Sequence, residues 1–153
     1  MKETACCITG HRVLKDEREE LEKKLKAALE ELVCEGVTRF FVGGARGFDM
    51  LAAEAVLCVK KTCPQVKLML VLPHKGHTSG WAEEDARAEA AIEQQADEVT
   101  VLAEHYHRGC MHRRNRRLVE SAGVCLCYLR SPQGGTAYTV GYAKRRGLRI
   151  LHI

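Results

Sequence analysis

The stretch GGARGFD, residues 43–49, holds the residue types with the clearest potential for chemistry. Its glycines, Gly43, Gly44 and Gly47, lie directly before a helical pattern, and backbone N–H groups at a helix N-terminus favour a phosphate. The stretch matches neither the dinucleotide fingerprint G-x-G-x-x-G nor the phosphate-loop pattern G-x-x-x-x-G-K-[ST]. A tight turn from strand to helix needs glycines equally well. The loop alone therefore leaves a phosphate cradle and a simple turn as open interpretations.

A second glycine-rich stretch, Gly134-Gly135-Thr136, repeats this arrangement near the end of the chain. Thr136 is predicted to be the N-cap of the helix that follows. Two glycine-rich helix starts at neighbouring strand ends favour a phosphorylated ligand, and Arg46 in the first loop would neutralise part of its charge.

Asp49 follows the first loop and has two interpretations. It is predicted either to cap the second helix or to accept a hydrogen bond from a ribose hydroxyl, with a general-base role as a further option. The capping and functional roles are compatible with each other.

The predicted helix 110–122 carries a polar residue where its pattern is apolar. Asn115 falls inside the stripe, Arg114 lies on its flank, and the other arginines point away. Asn115 would either reach a ligand cleft or tie down a neighbouring loop. Arg114 could form a bidentate contact with a phosphate or a carboxylate. The stripe consists of Met111, Leu118, Val119 and Ala122.

Short apolar runs alternate with helical patterns along the whole chain. The predicted strands are residues 5–9, 39–43, 67–73, 98–102, 124–129 and 148–153. The predicted helices are residues 14–33, 49–61, 81–95, 110–122 and 136–146. This alternation predicts an α/β fold with a mainly parallel sheet of about six strands, covered by helices on both faces.

The loops that follow the strands contain nearly all glycines, histidines and loop arginines. In open parallel sheets, ligands bind beyond the carboxyl ends of the strands, so this asymmetry predicts a ligand cleft at that edge. Trp81 either covers apolar surface there or stacks on a base. The further site residues predicted from these loops are Gly10, His11, Arg12, Pro73 and Trp81.

The length and composition of the chain are typical of a soluble globular protein. With 153 residues, 46% hydrophobic and 29% charged, the chain is expected to form one domain, 1–153. No signal peptide or membrane-length apolar run is seen, which predicts a cytoplasmic protein without a membrane partner. The net charge of +4 is concentrated at residues 112–118 and 144–149, which either attract polyanions or form a solvated basic face.

The eight cysteines and seven histidines do not follow the spacing of a metal site. Reduced thiols are expected, with Cys34, Cys58 and Cys125 in the core. The histidines are scattered through loops with no carboxylate partner apparent from the sequence. We therefore predict no metal site.

Five motifs in this order resemble the YpsA-type branch of the SLOG superfamily, over residues 7–150. They are ITGHR, GGARGFDMLAAE, LPHKGHTSGW, YHRGCMHRRNRRLVESA and GGTAYTVGYAKRRG. The resemblance implies a Rossmann-like, doubly wound fold that binds a nucleotide or a nucleotide-derived ligand of the ADP-ribose or NAD type, as a sensor or regulator. Arg46 and Arg114 would neutralise phosphate, and Asp49 and Asn115 would contact sugar or base. We expect Arg114→Ala to weaken binding with little loss of stability.

The same superfamily includes the LOG phosphoribohydrolases, which use a Met-His-x-Arg-Lys and a Gly-Gly-x-Gly-Thr-x-x-Glu stretch. Arg114 matches the catalytic Arg of the first, and Asn115 replaces its Lys. The catalytic Glu of the second is absent, since residues 137–139 are Ala-Tyr-Thr. Hydrolysis of a nucleoside monophosphate therefore remains an alternative in which Asp49 supplies the carboxyl group. The missing glutamate could also be replaced by one of three other glutamates, Glu54, Glu83 or Glu84.

The superfamily also includes the DNA-processing protein DprA, which binds single-stranded DNA and oligomerises. The arginine clusters could follow a phosphate backbone, but aromatic residues make up only 5% of the chain, which leaves few side chains for base stacking. A nucleic-acid partner is therefore the less favoured alternative. A homodimer is implied by the resemblance alone.

Overall fold

The computed structural model describes residues 1–153 without a gap. A single turn of 3₁₀ helix, Lys2–Thr4, precedes an alternation of six strands and five α-helices. The strands are β1 (Ala5–Gly10), β2 (Arg39–Val42), β3 (Lys67–Leu72), β4 (Glu98–Val101), β5 (Val124–Tyr128) and β6 (Arg149–His152). The helices are α1 (Arg18–Cys34), α2 (Phe48–Thr62), α3 (Glu83–Gln95), α4 (Cys110–Glu120) and α5 (Gly135–Arg145).

The sheet has the order β4-β3-β2-β1-β5-β6, and every neighbouring pair is parallel. This confirms the predicted α/β fold. The chain adds strands on one side of β1 as far as β4, and then α4 carries it back to the other side. The reversal leaves a crevice at the carboxyl ends of β1 and β5, which is where open sheets bind ligands.

The strand order corrects one expectation about the two glycine-rich loops. They follow β2 and β5, which are not neighbours, because β1 lies between them. The helices that begin at the two loops also cover opposite faces of the sheet. The loops therefore approach the crevice from its two sides rather than forming one continuous rim.

Two apolar clusters fill the space between the sheet and the helices. The larger one packs α1, α2 and α3 on one face, and the smaller one packs α4 and α5 on the other. The central strand β1 serves both, since Cys6 and Ile8 belong to the first cluster and Ala5 and Cys7 to the second. A strand buried on both faces reads as a continuous apolar run, which is why the run at 5–9 was recognisable.

The first helix begins at Arg18, four residues later than its apolar spacing predicts. The preceding loop is held by the end of β5 instead. Tyr128 Oη accepts a hydrogen bond from the Lys15 amide at 2.9 Å and donates one to Asp16 Oδ1 at 2.9 Å. Asp16 also forms an ion pair with Arg130 at 3.0 Å. The hydrogen bonds that Asp16 accepts from Arg130 and Tyr128 lower the pKa of its carboxyl group. These contacts keep residues 11–17 out of a helix.

Two of the predicted core cysteines lie on the surface. Cys125 is buried as predicted, whereas Cys34 and Cys58 are exposed. Cys34 is the last residue of α1, and Cys58 lies on the outer face of α2, so neither faces the sheet. None of the five helices has the length and apolar character needed to cross a membrane.

Candidate functional site

A cavity of about 290 Å³ lies at the crevice between the ends of β1 and β5. Four segments form its walls: the end of β1, the first glycine loop, the first turns of α4 and the start of α5. Eight predicted site residues meet there, namely Gly10, His11, Arg12, Asp49, Arg114, Asn115, Gly135 and Thr136. Residues that the sequence did not single out complete the wall: Thr9, Ala45, Met111 and His112.

A second cavity of about 380 Å³ adjoins the first. The two share part of their walls, namely Arg12, Ala45, Met111 and Arg114. Three further predicted residues, Arg46, Pro73 and Trp81, line this second cavity and not the first. Gly43, Gly44 and Gly134 line neither cavity, and Gly47 lines a third hollow, of about 610 Å³, beside α2.

The glycines of the first loop each meet a steric requirement. A Cβ on Gly43 would lie 2.8 Å from Arg114 Nη1, and a Cβ on Gly44 would lie 2.4 Å from Leu72 Cδ2. Gly47 has φ of 78°, and a Cβ there would lie 2.0 Å from the Arg12 carbonyl oxygen. The tight-turn interpretation of these glycines is therefore physically sufficient.

The backbone amides at the two helix starts differ in what they already bind. At α2, the Ala45 amide donates to Asp49 Oδ2 and the Phe48 amide donates to the His11 carbonyl, both at 3.1 Å. At α5, the amides of residues 135–137 donate no hydrogen bond within the chain. Since Gly135 and Thr136 line the first cavity, the start of α5 offers the more accessible donors for an anion.

Neither predicted N-cap is found. Glycines occupy both positions, Gly47 at α2 and Gly134 at α5. Asp49 is the second residue of α2 and turns its carboxylate back to the Ala45 amide. Thr136 is the second residue of α5 and is buried. The sharp turns that bring each loop into its helix need a positive φ, which leaves the cap position to glycine in both cases.

Asp49 is a buried carboxyl group whose environment favours its neutral form. It is 5% exposed, and burial raises its pKa to about 6 in spite of the opposing effect of the Arg114 guanidinium. A carboxyl group with this pKa is able to exchange a proton near neutral pH.

We expect the substitution Asp49→Asn to change how stability depends on pH. The folded pKa is above the unfolded value, so the wild type takes up a proton on folding between about pH 4 and pH 6 and loses stability as pH rises through that window. At pH 7, above the folded pKa, nearly the whole penalty is present, on the order of 3 kcal/mol, and Asn does not have it. Urea unfolding at pH 4 and pH 7 should show the variant gaining on the wild type at the higher pH. Parallel curves for the two proteins would contradict the raised pKa.

Arg114 lies beneath the glycine loop and is only 6% exposed. Its Nη1 donates to the Gly43 carbonyl, and its Nε donates to Asn115 Oδ1 at 2.8 Å. Burial lowers its pKa, and the nearby Asp49 carboxylate opposes that effect. Its remaining nitrogen, Nη2, makes no hydrogen bond within the chain. Arg114 therefore supports the loop and keeps one donor for a ligand, and the expectation of little stability loss in Arg114→Ala must be revised.

Asn115 lines the first cavity, and it is linked to the glycine loop only through Arg114. Its Oδ1 accepts from Arg114, which anchors α4 to the glycine loop. Its Nδ2 lies 4.0 Å from the position that a Cβ on Gly135 would occupy, so it points across the cavity towards α5.

The two histidines that line the first cavity, His11 and His112, differ in exposure and in hydrogen bonding. His11 Nε2 accepts a hydrogen bond from the Arg130 amide at 2.8 Å, and burial together with nearby positive charge lowers its pKa. His112 is exposed, and its ring lies 4.2 Å from that of Tyr138.

The sequence could have indicated Met111 as a residue of the cavity wall, because it precedes Arg114 by three residues and therefore shares its helix face.

The second cavity has an aromatic wall formed by the loop between β3 and α3. The Arg46 guanidinium lies 5.0 Å from the centre of the Trp81 ring, and His77 meets Trp81 edge-on at 5.4 Å. His74 contacts Tyr106 in the same manner at 5.7 Å. Trp81 lies before α3 rather than within it, because that helix begins at Glu83.

One histidine has the carboxylate partner that the sequence did not reveal. His77 Nε2 lies 3.5 Å from Glu89 Oε2, and both side chains are almost fully buried. Burial raises the pKa of Glu89 to about 7, against the effect of His77, and Glu93 raises it further. The pairing joins a loop residue to the middle of α3, which no spacing rule connects.

The glutamates considered as replacements for the LOG carboxylate lie away from the first cavity. Glu54 pairs with Arg18 at 3.4 Å, and Glu83 pairs with Arg87 one helical turn away. Glu84 lines the hollow beside α2. Among the candidates, Asp49 alone lines the cavity.

The chain is similar to curated proteins that are longer than it is. The UPF0398 protein of Halalkalibacterium halodurans is 29% identical over 129 residues, which are 82% of this chain and 68% of that protein. The UPF0398 protein of Staphylococcus saprophyticus is 29% identical over 110 residues, which are 67% of this chain and 58% of that protein. The chain therefore spans about three fifths to two thirds of the length of these relatives.

Among solved structures, the chain is similar to DNA processing protein A of Helicobacter pylori, which is described as having a single-stranded DNA binding mode. The TM-score is 0.69 at 15% identity, over 99% of this chain and 65% of that one. This is a likeness of fold. The model of the YpsA family, described as the YspA SLOG family, matches residues 6–149. Because this match covers nearly the whole chain and agrees with the five motifs, the chain belongs to the YspA SLOG family.

Proposed function

We propose that this protein binds a nucleotide or a nucleotide-derived ligand of the ADP-ribose or NAD type, as a sensor or regulator. The observation that carries the proposal is the pairing of two adjoining cavities of different chemistry. One offers Arg114 and the unbonded amides at the start of α5, and the other offers the aromatic wall at Trp81. Each volume falls in the range of small-molecule sites, roughly 300–1,000 Å³ or just below it.

In this arrangement the phosphate groups lie at the start of α5, close to Arg114. The helix N-terminus supplies amide donors, and the guanidinium supplies charge at Nη2. Asp49 would accept a hydrogen bond from a ribose hydroxyl, and Asn115, beside Arg114, would donate one through its Nδ2. The base would extend into the second cavity beside Trp81, whose ring face can stack on it.

A thermal-shift panel tests the proposal on the purified chain. The panel contains AMP, ADP, NAD, ADP-ribose, cyclic ADP-ribose and a short single-stranded DNA. A ligand present at 100 times its dissociation constant should stabilise the fold by about 2.7 kcal/mol, which gives a clear rise in melting temperature. No shift with any of the small nucleotides at millimolar concentration would contradict the proposal.

A phosphoribohydrolase activity is the second candidate, and the state of Asp49 favours it. A buried carboxyl group with a pKa of about 6 in the cavity could act as general acid or base where the LOG glutamate is absent. Its test is release of free base from a nucleoside monophosphate, with Asp49→Asn as the variant expected to lose turnover while retaining ligand binding. Binding without release would rule out the phosphoribohydrolase activity and favour the sensor function.

Binding of single-stranded nucleic acid is the third candidate, and a basic hollow that adjoins the first cavity at His112 favours it. Its lining consists of His107, Arg108, Gly109, His112, Arg113 and Arg116. Three arginines in one hollow would attract a phosphate backbone, and binding should then weaken steeply as salt is raised. Fluorescence anisotropy with a labelled oligonucleotide at 50 and 200 mM salt tests this candidate.

A further inference from the structure

The loop between β3 and α3 brings an imidazole to two carboxylates outside the proposed nucleotide contacts. Glu89 and Glu93 are four residues apart on α3 and therefore share a helix face, which they turn towards His77. One ligand atom from each of the three residues lies within 4.8 Å of the others. Donor atoms at this separation can bind one common ion.

Glu89 supplies the second observation. It is 1% exposed, and its Oε2 has no hydrogen-bond partner. The nearest donor is His77 Nε2, but at 3.5 Å the contact is too long for a good hydrogen bond, and the same nitrogen lies 3.1 Å from the Gly44 carbonyl oxygen. If Nε2 carries a hydrogen, the nearer Gly44 carbonyl oxygen takes it, and if Nε2 carries none, its lone pair is free to bind a metal ion. In both cases Glu89 Oε2 is left without a donor. A buried carboxylate oxygen without a donor is costly unless a cation or a proton neutralises it.

We propose that His77, Glu89 and Glu93 form a binding site for one divalent metal ion of the Mn²⁺ or Zn²⁺ class. The donors are one imidazole nitrogen and two carboxylates, with the Gly44 carbonyl oxygen beside them. Nitrogen and oxygen ligands in this combination suit these ions, whereas a site for softer metals would need thiolates.

The site joins two parts of the molecule that the nucleotide proposal uses separately. Gly44 belongs to the first glycine loop, and His77 belongs to the loop that carries Trp81. An ion bound by both would hold the aromatic wall of the second cavity against the glycine loop. Metal binding is measured without any nucleotide, so the two proposals can fail separately.

The test is direct binding of Mn²⁺ to the purified full chain after treatment with a chelator. Mn²⁺ is the better probe because the exposed thiols of Cys34 and Cys58 would also bind Zn²⁺. Equilibrium dialysis and the loss of the free Mn²⁺ electron paramagnetic resonance signal should both give one ion per chain. Glu89→Gln, which keeps the shape of the side chain, should lower the affinity at least about tenfold, as should His77→Ala.

Two matched variants serve as controls for these substitutions. Glu84→Gln changes an exposed glutamate on the same helix, and His74→Ala changes a histidine in the same loop. Both should bind Mn²⁺ like the wild type. If Glu89→Gln does not fold, Glu93→Gln at the half-buried position replaces it. Failure of the wild type to bind at millimolar Mn²⁺, or equal binding by Glu89→Gln, would overturn the proposal and assign a shared proton to the two carboxyl groups.

Discussion

Arg114→Ala is expected to destabilise the fold by about 3 kcal/mol or more and to abolish nucleotide binding. The substitution leaves the Gly43 carbonyl and Asn115 Oδ1 without their donor, and it removes the cation that most favours the charged form of the buried Asp49 carboxyl group. Removing one member of a buried, hydrogen-bonded charge network costs roughly 3–5 kcal/mol. Urea unfolding measures the loss of stability, and calorimetric titration with ADP-ribose measures the loss of binding.

Arg113→Ala is the matched control, because this neighbour on the same helix is exposed. Its free energy of unfolding should stay within about 0.5 kcal/mol of the wild type. Arg114→Lys separates folding from binding, since it keeps a positive charge but cannot make the same forked contacts with Gly43 and Asn115. If Arg114→Ala matched the wild type in both measurements, neither the support of the loop nor the phosphate contact could be correct.

Gly47→Ala is expected to cost about 3 kcal/mol or more for a different reason. The residue has φ of 78° and ψ of −122°, a region that is almost restricted to glycine. Its added Cβ would also lie 2.0 Å from the backbone oxygen of Arg12, so the main chain of one loop would have to move. Strain of roughly 1–2 kcal/mol is then joined by an overpacking cost of about 1–3 kcal/mol.

The variant Gly76→Ala measures the cost of placing a side chain at a positive φ where there is no steric clash. Gly76 has φ of 73°, and a Cβ there would meet nothing within 4 Å. Its substitution should therefore cost about 1–2 kcal/mol, the strain alone. Urea unfolding of both variants gives the comparison. Equal losses would mean that the contact between Gly47 and Arg12 does not limit the structure.

The sequence was sufficient for the fold class because the central strands β1 and β5 are buried on both faces. Runs such as residues 5–9 and 124–129 are largely apolar, and helical patterns lie between the runs, so a parallel sheet covered by helices follows. The order of the strands in the sheet does not follow from this pattern. The position of Asn115 within an apolar stripe likewise indicated a polar group facing inward. Helical spacing shows which residues face inward because it depends only on residues three or four positions apart.

The features that could not be predicted depend on contacts between residues that are distant in sequence. Tyr128 holds the loop before α1 from 112 residues away, and no local pattern marks that contact. Helical spacing places Arg114 on the flank of the apolar stripe of α4. Its burial results from the glycine loop, which is distant in sequence and covers it. The pairing of His77 with Glu89 depends on how a loop of irregular conformation folds back on α3.

Two consecutive carbonyl groups of the glycine loop are held by side chains from different layers of the molecule. Arg114 of α4 binds the carbonyl of Gly43, and His77 lies 3.1 Å from that of Gly44. Glycine normally brings the greatest loss of conformational entropy when it is ordered. Here that loss is incurred during folding, so a ligand would meet a loop that is already ordered. Such preorganisation favours affinity without any additional contact, in a segment whose composition suggests flexibility.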